Sequence, residues 1–324
     1  MLTDEYITYL SSVRRYSPRT VEIYADVLRR FVEYSCDASS DKALKGALTS
    51  AGIRNYEVHL LDEKKESPRT VHLHLSVLSG FCRFLVRQGA MASNPVPTVS
   101  RPKVAHRLPD VFREEALQKY MERTAADAGP DTLSLITGRD KASVSLYNRR
   151  LQRLVISLLW GTGIRRSELV SLQVGSVNFS RRVLRVRGKG DKMREIPLIP
   201  SLCEEISLYL QATGSLTGCR PQAADPLLVT SQGRPLYPVY VDRAVKAALG
   251  QQEDVTGRKS PHVLRHTLAT ELLDAGADLN SIKELLGHAS LAATQVYTHN
   301  SVEKLKKVYL NAHPRAKRGG NHGD

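Results

Sequence analysis

A chain of 324 residues, 41% hydrophobic and 25% charged, can bury the cores of two globular domains. Its formal net charge of +14 favours a polyanionic partner, nucleic acid before an anionic membrane surface. The start, MLTDEYITYL, lacks the basic and apolar regions of a signal peptide, and no apolar run is long enough to span a bilayer. That points to a cytoplasmic protein with no membrane partner.

The basic excess is spread along the chain. Residues 1–107 hold 16 Lys and Arg against 11 Asp and Glu, and the remainder holds 31 against 22. Both parts are therefore suited to the same polyanion. Cys36, Cys82, Cys203 and Cys219 have no CxxC spacing, which argues for reduced thiols rather than a zinc site or a disulfide framework.

In chain order, helical patterns are expected first at about 3–13 and 43–61. The pentapeptide SPRTV occurs twice, at 17–21 and 67–71. Each copy opens an apolar-periodic stretch, with Val21, Tyr24, Leu28 and Phe31 in the first and Val71, Leu75, Leu78 and Phe81 in the second. Ser as N-cap, Pro at the first helical position and Gly89 near the exit fit two long helices. Residues 1–91 thus read as a compact bundle of four or five helices. Residues 92–110 contain four prolines and no helical period, so an extended, basic linker is expected there.

A helix at about 113–123 opens the second half. Residues 125–145 carry polar and Gly/Pro signals with weak periodicity and read as a surface insertion. From Arg149 the stripe Leu151, Leu154, Val155, Leu158, Leu159 predicts a central buried helix, broken by the two glycines of GTG at 161–163. IRRSELVSLQV starts another helix. Residues 177–199 change period and predict a β-hairpin around a Gly-Lys-Gly-Asp turn. Helices are expected near 202–213, 238–249, 261–276, 279–286, 291–299 and 302–310. The fold class is therefore mainly α with a small β-hairpin or sheet, in two domains.

Four stretches carry chemistry. In GTGIRRSEL, Arg165 stands at a helix start, where backbone N–H groups and a guanidinium both suit a phosphate; it is equally placed to pair with Glu168. In GKGDK, Lys189 sits between two glycines at a hairpin tip, where its amine can act as a general acid if nearby cations lower its pKa; Lys192 is the rival. In SPHVLRHTLAT, His262 and Arg265 share a helix face, while His266 points elsewhere and reads as structural. In LLGHASLAATQVYTH, His288 precedes Tyr297 by nine residues. Neither is distinctive by type among 10 histidines and 13 tyrosines.

Together, GTGIRRSEL, GKG, HVLRHTLAT and LLGHASLAATQVYTH resemble, in order and spacing, the motifs of the tyrosine recombinase (phage integrase) family. The resemblance covers most of the chain and is most like the Xer branch, including the tail YTHNSVEKLKKVYLNAHPRA. It implies an N-terminal SAM-like core-binding domain at 1–91, a linker at 92–110, a catalytic domain at 111–312 and a disordered tail at 313–324. It carries the catalytic set onto Arg165, Lys189, His262, Arg265, His288 and Tyr297. It implies DNA contacts from Arg19, Thr20, Arg69 and Thr70 at the two SPRT helix starts. The partners implied are a double-stranded recombination site and a homo- or heterotetramer on two such sites, with a second Xer-type recombinase as one form. No cofactor and no metal are expected, since there is no P-loop or acidic cluster. The longer 125–148 stretch is a departure that leaves a mobile-element integrase as the alternative. A non-catalytic architectural protein and a type IB topoisomerase are the other readings.

Overall fold

The computed structural model describes residues 1–35, 40–104, 112, 114–188, 191–250 and 259–287. They fall into two compact units, Met1–Arg107 and Leu108–Asp324. Among the described residues the chain is mainly helical, with one three-stranded sheet. None of the described helices is long and apolar enough to cross a membrane.

The first unit holds α1 (Leu2–Thr8), α2 (Pro18–Ser35), α3 (Asp41–Ala47), α4 (Ser50–Val58) and α5 (Pro68–Arg87). The pattern expected at 43–61 is split because Thr49 caps a new helix, its hydroxyl accepting from Gly52 N at 3.0 Å. The SPRTV repeat proves to be the end of a longer structural duplication. Before each copy a helix widens to i→i+5 bonding, at Tyr9–Val13 and His59–Glu63. Arg14 N donates to Tyr9 O at 3.0 Å and Lys64 N to His59 O at 3.1 Å. Arg15 and Lys65 then take φ values of 50° and 52°, and Ser17 and Ser67 each accept from a backbone N–H three residues on.

The two copies are buried unequally. Val71, Leu75, Leu78 and Phe81 of α5 are fully buried, whereas of the four matching positions of α2 Leu28 and Phe31 are, with Val21 and Tyr24 packed at the margin. Val96 and Val99, inside the stretch expected to be a linker, are also buried in this core, and Val96–Thr98 forms a 3-10 turn. The apolar residues between the prolines are what dock this segment.

In the second unit, α6 (Glu114–Arg123) is followed by α7 (Ala125–Ala128), α8 (Pro130–Leu133) and α9 (Lys141–Thr162). The 125–148 stretch is not a loose surface insertion. Asp140 caps α9 through Ala142 N and Ser143 N, so that helix starts eight residues before Arg149. Arg150, 1% exposed, donates to Ala128 O at 2.9 Å, Gly129 O at 2.6 Å and the Thr132 hydroxyl at 2.9 Å. Arg153 donates to Met121 O at 2.6 Å and lies 3.4 Å from the Glu205 carboxylate. These polar anchors carry no hydrophobic period, so the pattern of the sequence does not reveal them. The expected stripe of Leu151, Leu154, Val155, Leu158 and Leu159 is fully buried, and so are Ile156, Ser157 and Trp160, which makes α9 a core helix on every side from Arg153 to its end.

After α10 (Arg166–Val170) the chain leaves the helix earlier than expected, because Leu172 O and the Val174 and Gly175 N–H groups pair with residues 223–227. The hairpin is present as β2 (Val183–Arg187) against β3 (Met193–Pro197), antiparallel from Val183 opposite Pro197 to Arg187 opposite Met193. A short β1 (Val177–Asn178) joins it. Four helices follow among the described residues: α11 (Pro200–Thr217), α12 (Pro238–Gly250), α13 (Pro261–Asp274) and α14 (Leu279–Leu286). The helices expected at 291–299 and 302–310, and the tail, lie outside the described residues.

Candidate active site

The site is built where α9, α13 and α14 meet. Gly161 stays helical, and only Gly163 breaks α9, with φ of 61°. A Cβ on Gly163 would stand 2.6 Å from Leu286 Cδ2 and 3.0 Å from Leu268 Cδ2. Glycine is needed there both for the left-handed turn and for close helix contact. The freed Gly163 O accepts from Arg265 Nη1 at 2.6 Å. Arg265 is 7% exposed, and its Nη2 donates to Leu286 O.

Arg165, at the start of α10, is the more open of the two arginines, with 34% of its side chain exposed. Its Nη1 donates to Glu168 Oε1 at 2.9 Å, and its backbone N donates to Glu168 Oε2 at 2.8 Å. The ion pair and the phosphate-facing position are therefore compatible readings of one residue. Arg165 Nη2 donates to Gly287 O at 2.9 Å.

A third arginine closes the group. Arg194 on β3, 6% exposed, grips Glu168 with both nitrogens, Nη1 to Oε1 at 2.9 Å and Nη2 to Oε2 at 2.8 Å. Its Nε donates to Leu285 O at 3.1 Å. Three successive carbonyls at the end of α14, those of Leu285, Leu286 and Gly287, thus receive Arg194, Arg265 and Arg165 in turn. Carbonyls at a helix C-terminus favour cations, so the collar holds the chain at the point where it enters the stretch with His288 and Tyr297.

The charges do not balance inside this group. Three guanidiniums face one carboxylate. Burial pushes the Arg265 guanidinium down to about 10, with Arg165 and Arg194 adding repulsion and Glu168 opposing it, so it stays charged at neutral pH. Burial alone would raise the Glu168 carboxyl; the bonds from Arg194 and Arg165 outweigh it and hold the carboxyl below its ordinary range. The surplus positive charge is what an anion arriving at the exposed edge of Arg165 would meet.

His262 is exposed on α13. Burial and then the charges of Arg166, His266 and Arg265 lower its pKa, with Asp242 opposing, so it is mainly neutral near pH 7. Arg166 pairs with Asp242 beside it. His266, read as structural, is exposed and acts on His262 through its charge. Lys189 lies outside the described residues; of its neighbours in sequence, Gly188 N donates to Lys192 O at 2.8 Å. Lys192 is exposed. His288 and Tyr297 also lie outside the described residues.

The four DNA-contact candidates sit on the first unit. Arg19 and Arg69 are exposed; Arg19 pairs with Glu22 at 2.6 Å. The Thr20 and Thr70 hydroxyls are each within 2.9 Å of the capping serine hydroxyl, so they serve the helix start as well. Sequence reasoning passed over Arg194 and Gly287. The signal for Arg194 was available: it alternates with Ile196 on the inward face of β3. Gly287 has φ of 64°, and a Cβ there would lie 3.0 Å from Arg194 Nη1 and 3.2 Å from its Cζ.

Comparison with known proteins places these features in context. The phage integrase family profile matches residues 114–304, and the phage integrase N-terminal SAM-like domain profile matches residues 3–89. The chain is 33% identical over 320 residues to the tyrosine recombinase XerC of Chlorobaculum parvum, covering 97% of this chain and 94% of that protein. Its fold is similar to that of the XerH site-specific recombinase bound to palindromic difH substrate, with TM-score 0.65, 21% identity and coverage of 94% and 83%. It is also similar to a lambda integrase tetramer bound to a Holliday junction, with TM-score 0.62, 19% identity and coverage of 91% and 80%.

Proposed function

Because the chain belongs to the phage integrase family, we propose that it is a site-specific tyrosine recombinase that cuts and rejoins DNA. The observation that carries this reading is that Arg165, paired with Glu168, and Arg265, held on Gly163 O and Leu286 O, converge with positive charge left over at the end of α14, from which the sequence runs on to His288 and Tyr297.

The reaction is a transesterification. The Tyr297 oxygen attacks a backbone phosphorus, the bond to the 5′-oxygen breaks, and a 3′-phosphotyrosyl link forms. Lys189 gives its proton to the departing 5′-oxygen. Arg165 and Arg265 hold the nonbridging oxygens and stabilise charge as it builds in the transition state. His262, mainly neutral, accepts or positions the proton of the tyrosine, and His288 hydrogen-bonds the phosphate. The 5′-hydroxyl of a partner strand then attacks the link, passing through a Holliday junction. The ester bond is conserved throughout, so no ATP is consumed.

The match to XerC along 97% of the chain favours an Xer-type role, the resolution of chromosome or plasmid dimers in the cytoplasm. In this reading four protomers act on two DNA sites, as copies of this chain or with a second Xer-type recombinase. The domains are proposed as 1–91 and 111–312, joined through 92–110. Arg19, Thr20, Arg69 and Thr70 are proposed to meet phosphates rather than base edges.

A plasmid carrying two directly repeated copies of the core site, found by footprinting the host chromosome, tests the reading. Purified protein should split it into two circles. Relaxation without resolution would favour a topoisomerase, and retention without cleavage an architectural role. Lys189→Ala should stall cleavage of ordinary DNA and recover on a 5′-bridging phosphorothiolate, whose sulfur leaves without a proton; no recovery removes Lys189 from the acid role.

A further inference from the structure

We propose that Arg194 is a positioning residue of the reaction: it neutralises Glu168 so that the charge of Arg165 stays available to the DNA phosphate. The inference rests on the recombinase reading above and adds a residue to it. It is carried by the pairing geometry. Glu168 is 5% exposed and meets two guanidiniums. Arg194 takes both of its oxygens side by side, the strongest arrangement a carboxylate and an arginine can form. Arg165 is left one side-chain bond to Oε1, while its backbone N–H takes Oε2.

Without Arg194, the buried carboxylate would have Arg165 as the one cation still bonded to it among the described residues. A buried charge seeks full compensation, so Glu168 would draw the Arg165 fork inward and cancel its charge. The cluster would then offer the phosphate one guanidinium in place of two. Glu168 aligns Arg165, and Arg194 keeps that alignment from becoming neutralisation.

The backbone around Arg194 is shaped for this role. Gly287 leaves the space its guanidinium fills. Its Nε bond to Leu285 O ties β3, which carries the Lys189 turn, to the end of α14, which leads to His288 and Tyr297. One side chain therefore touches the supports of three proposed catalytic segments.

The test is the single-turnover rate of covalent adduct formation on a nicked duplex carrying the core site, read beside DNA retention and the thermal melt. Arg194→Met should slow adduct formation by roughly 10- to 100-fold, with DNA retention unchanged. The double variant Glu168→Gln with Arg194→Met, which removes the carboxylate with its counter-cation, should cleave several-fold faster than Arg194→Met alone. Arg194→Lys keeps the charge and should recover most of the rate. A role in folding alone predicts the opposite for the double variant, which lacks both halves of the pair. An Arg194→Met rate equal to wild type, or a double variant no faster than the single, overturns the proposal. If Arg194→Met does not melt cooperatively, the other two variants decide, and cleavage by both as slow as by Arg165→Ala overturns it. Wild type forming no adduct would instead sink the recombinase reading itself.

Discussion

Among the described residues of the second unit, two groups of arginines set into the core are resolved in opposite ways. Arg150 and Arg153 on α9 direct their bonds to Ala128, Gly129, Thr132, Met121 and the Glu205 carboxylate. They fasten α6, α7 and α8 to the core, and Arg150 is all but sealed from solvent. Arg165 and Arg194 share the Glu168 carboxylate, Arg265 stands on the Gly163 and Leu286 carbonyls within reach of its charge, and Arg165 keeps an exposed edge. The same residue type is structural where its bonds end inside the protein, and chemical where charge is left over and reachable. Burial alone does not separate the two groups; the ratio of cations to carboxylates and the path to solvent do.

The sharpest way to break this comparison is to remove one arginine from each group. Arg265→Ala should lower the adduct rate by about 100-fold or more while leaving DNA retention close to wild type, because it takes donors from the transition state. Arg150→Met should instead cost about 3 kcal/mol of stability, since the Ala128 and Gly129 carbonyls lose their partner. The adduct rate per folded molecule should be unchanged. A melt and a single-turnover assay on both variants check the assignment, and swapped outcomes would refute it.

Glu271 sharpens the point from the acidic side. It lies outside both arginine groups, hydrogen-bonds the indole N–H of Trp160 at 2.9 Å, and has one oxygen buried without a hydrogen-bond partner among the described residues. Burial raises its carboxyl to about 7, and the charge of Glu114 adds to the effect. A carboxyl that holds its proton more tightly folded than unfolded stabilises the fold fully below its ordinary range and loses that contribution as pH rises through about 7. Glu271→Gln should therefore raise the unfolding free energy at pH 8, and flatten its fall between pH 5 and pH 8, by about 1–3 kcal/mol, read from melts across that range. Trp160 is the only tryptophan, so its fluorescence reports the titration directly. A wild-type melt with the same pH profile as the variant would remove the assignment.

The smallest effect is expected in the first unit. Arg69→Ala should weaken all DNA sequences alike by a few-fold and lower the slope of log affinity against log salt by about one. A sequence-selective loss would mean base contact in place of phosphate contact.

The legible and illegible parts of this chain divide along a physical line. Hydrophobic period gave α2, α5 and the stripe of α9, and turn chemistry gave the hairpin. The 125–148 stretch misled because its structure is held by Asp140, Arg150 and Arg153, polar anchors with no period. In the site, Arg165, His262 and Arg265 were readable from residue type and spacing within motifs. The inward position of Arg194 was readable from the alternation of β3, but its partners and the need for Gly287 were not, because Glu168 and Leu285 lie far from Arg194 in sequence, as Gly287 does. Long-range charge sharing leaves little local trace.

The central claim is that the surplus charge of the Arg165 group serves a nucleophilic tyrosine. A nicked suicide duplex of the core site tests it most directly. Wild-type protein should accumulate a covalent protein–DNA adduct, and Tyr297→Phe should form none while still retaining the DNA. Adduct formed by Tyr297→Phe at the wild-type rate would contradict the account.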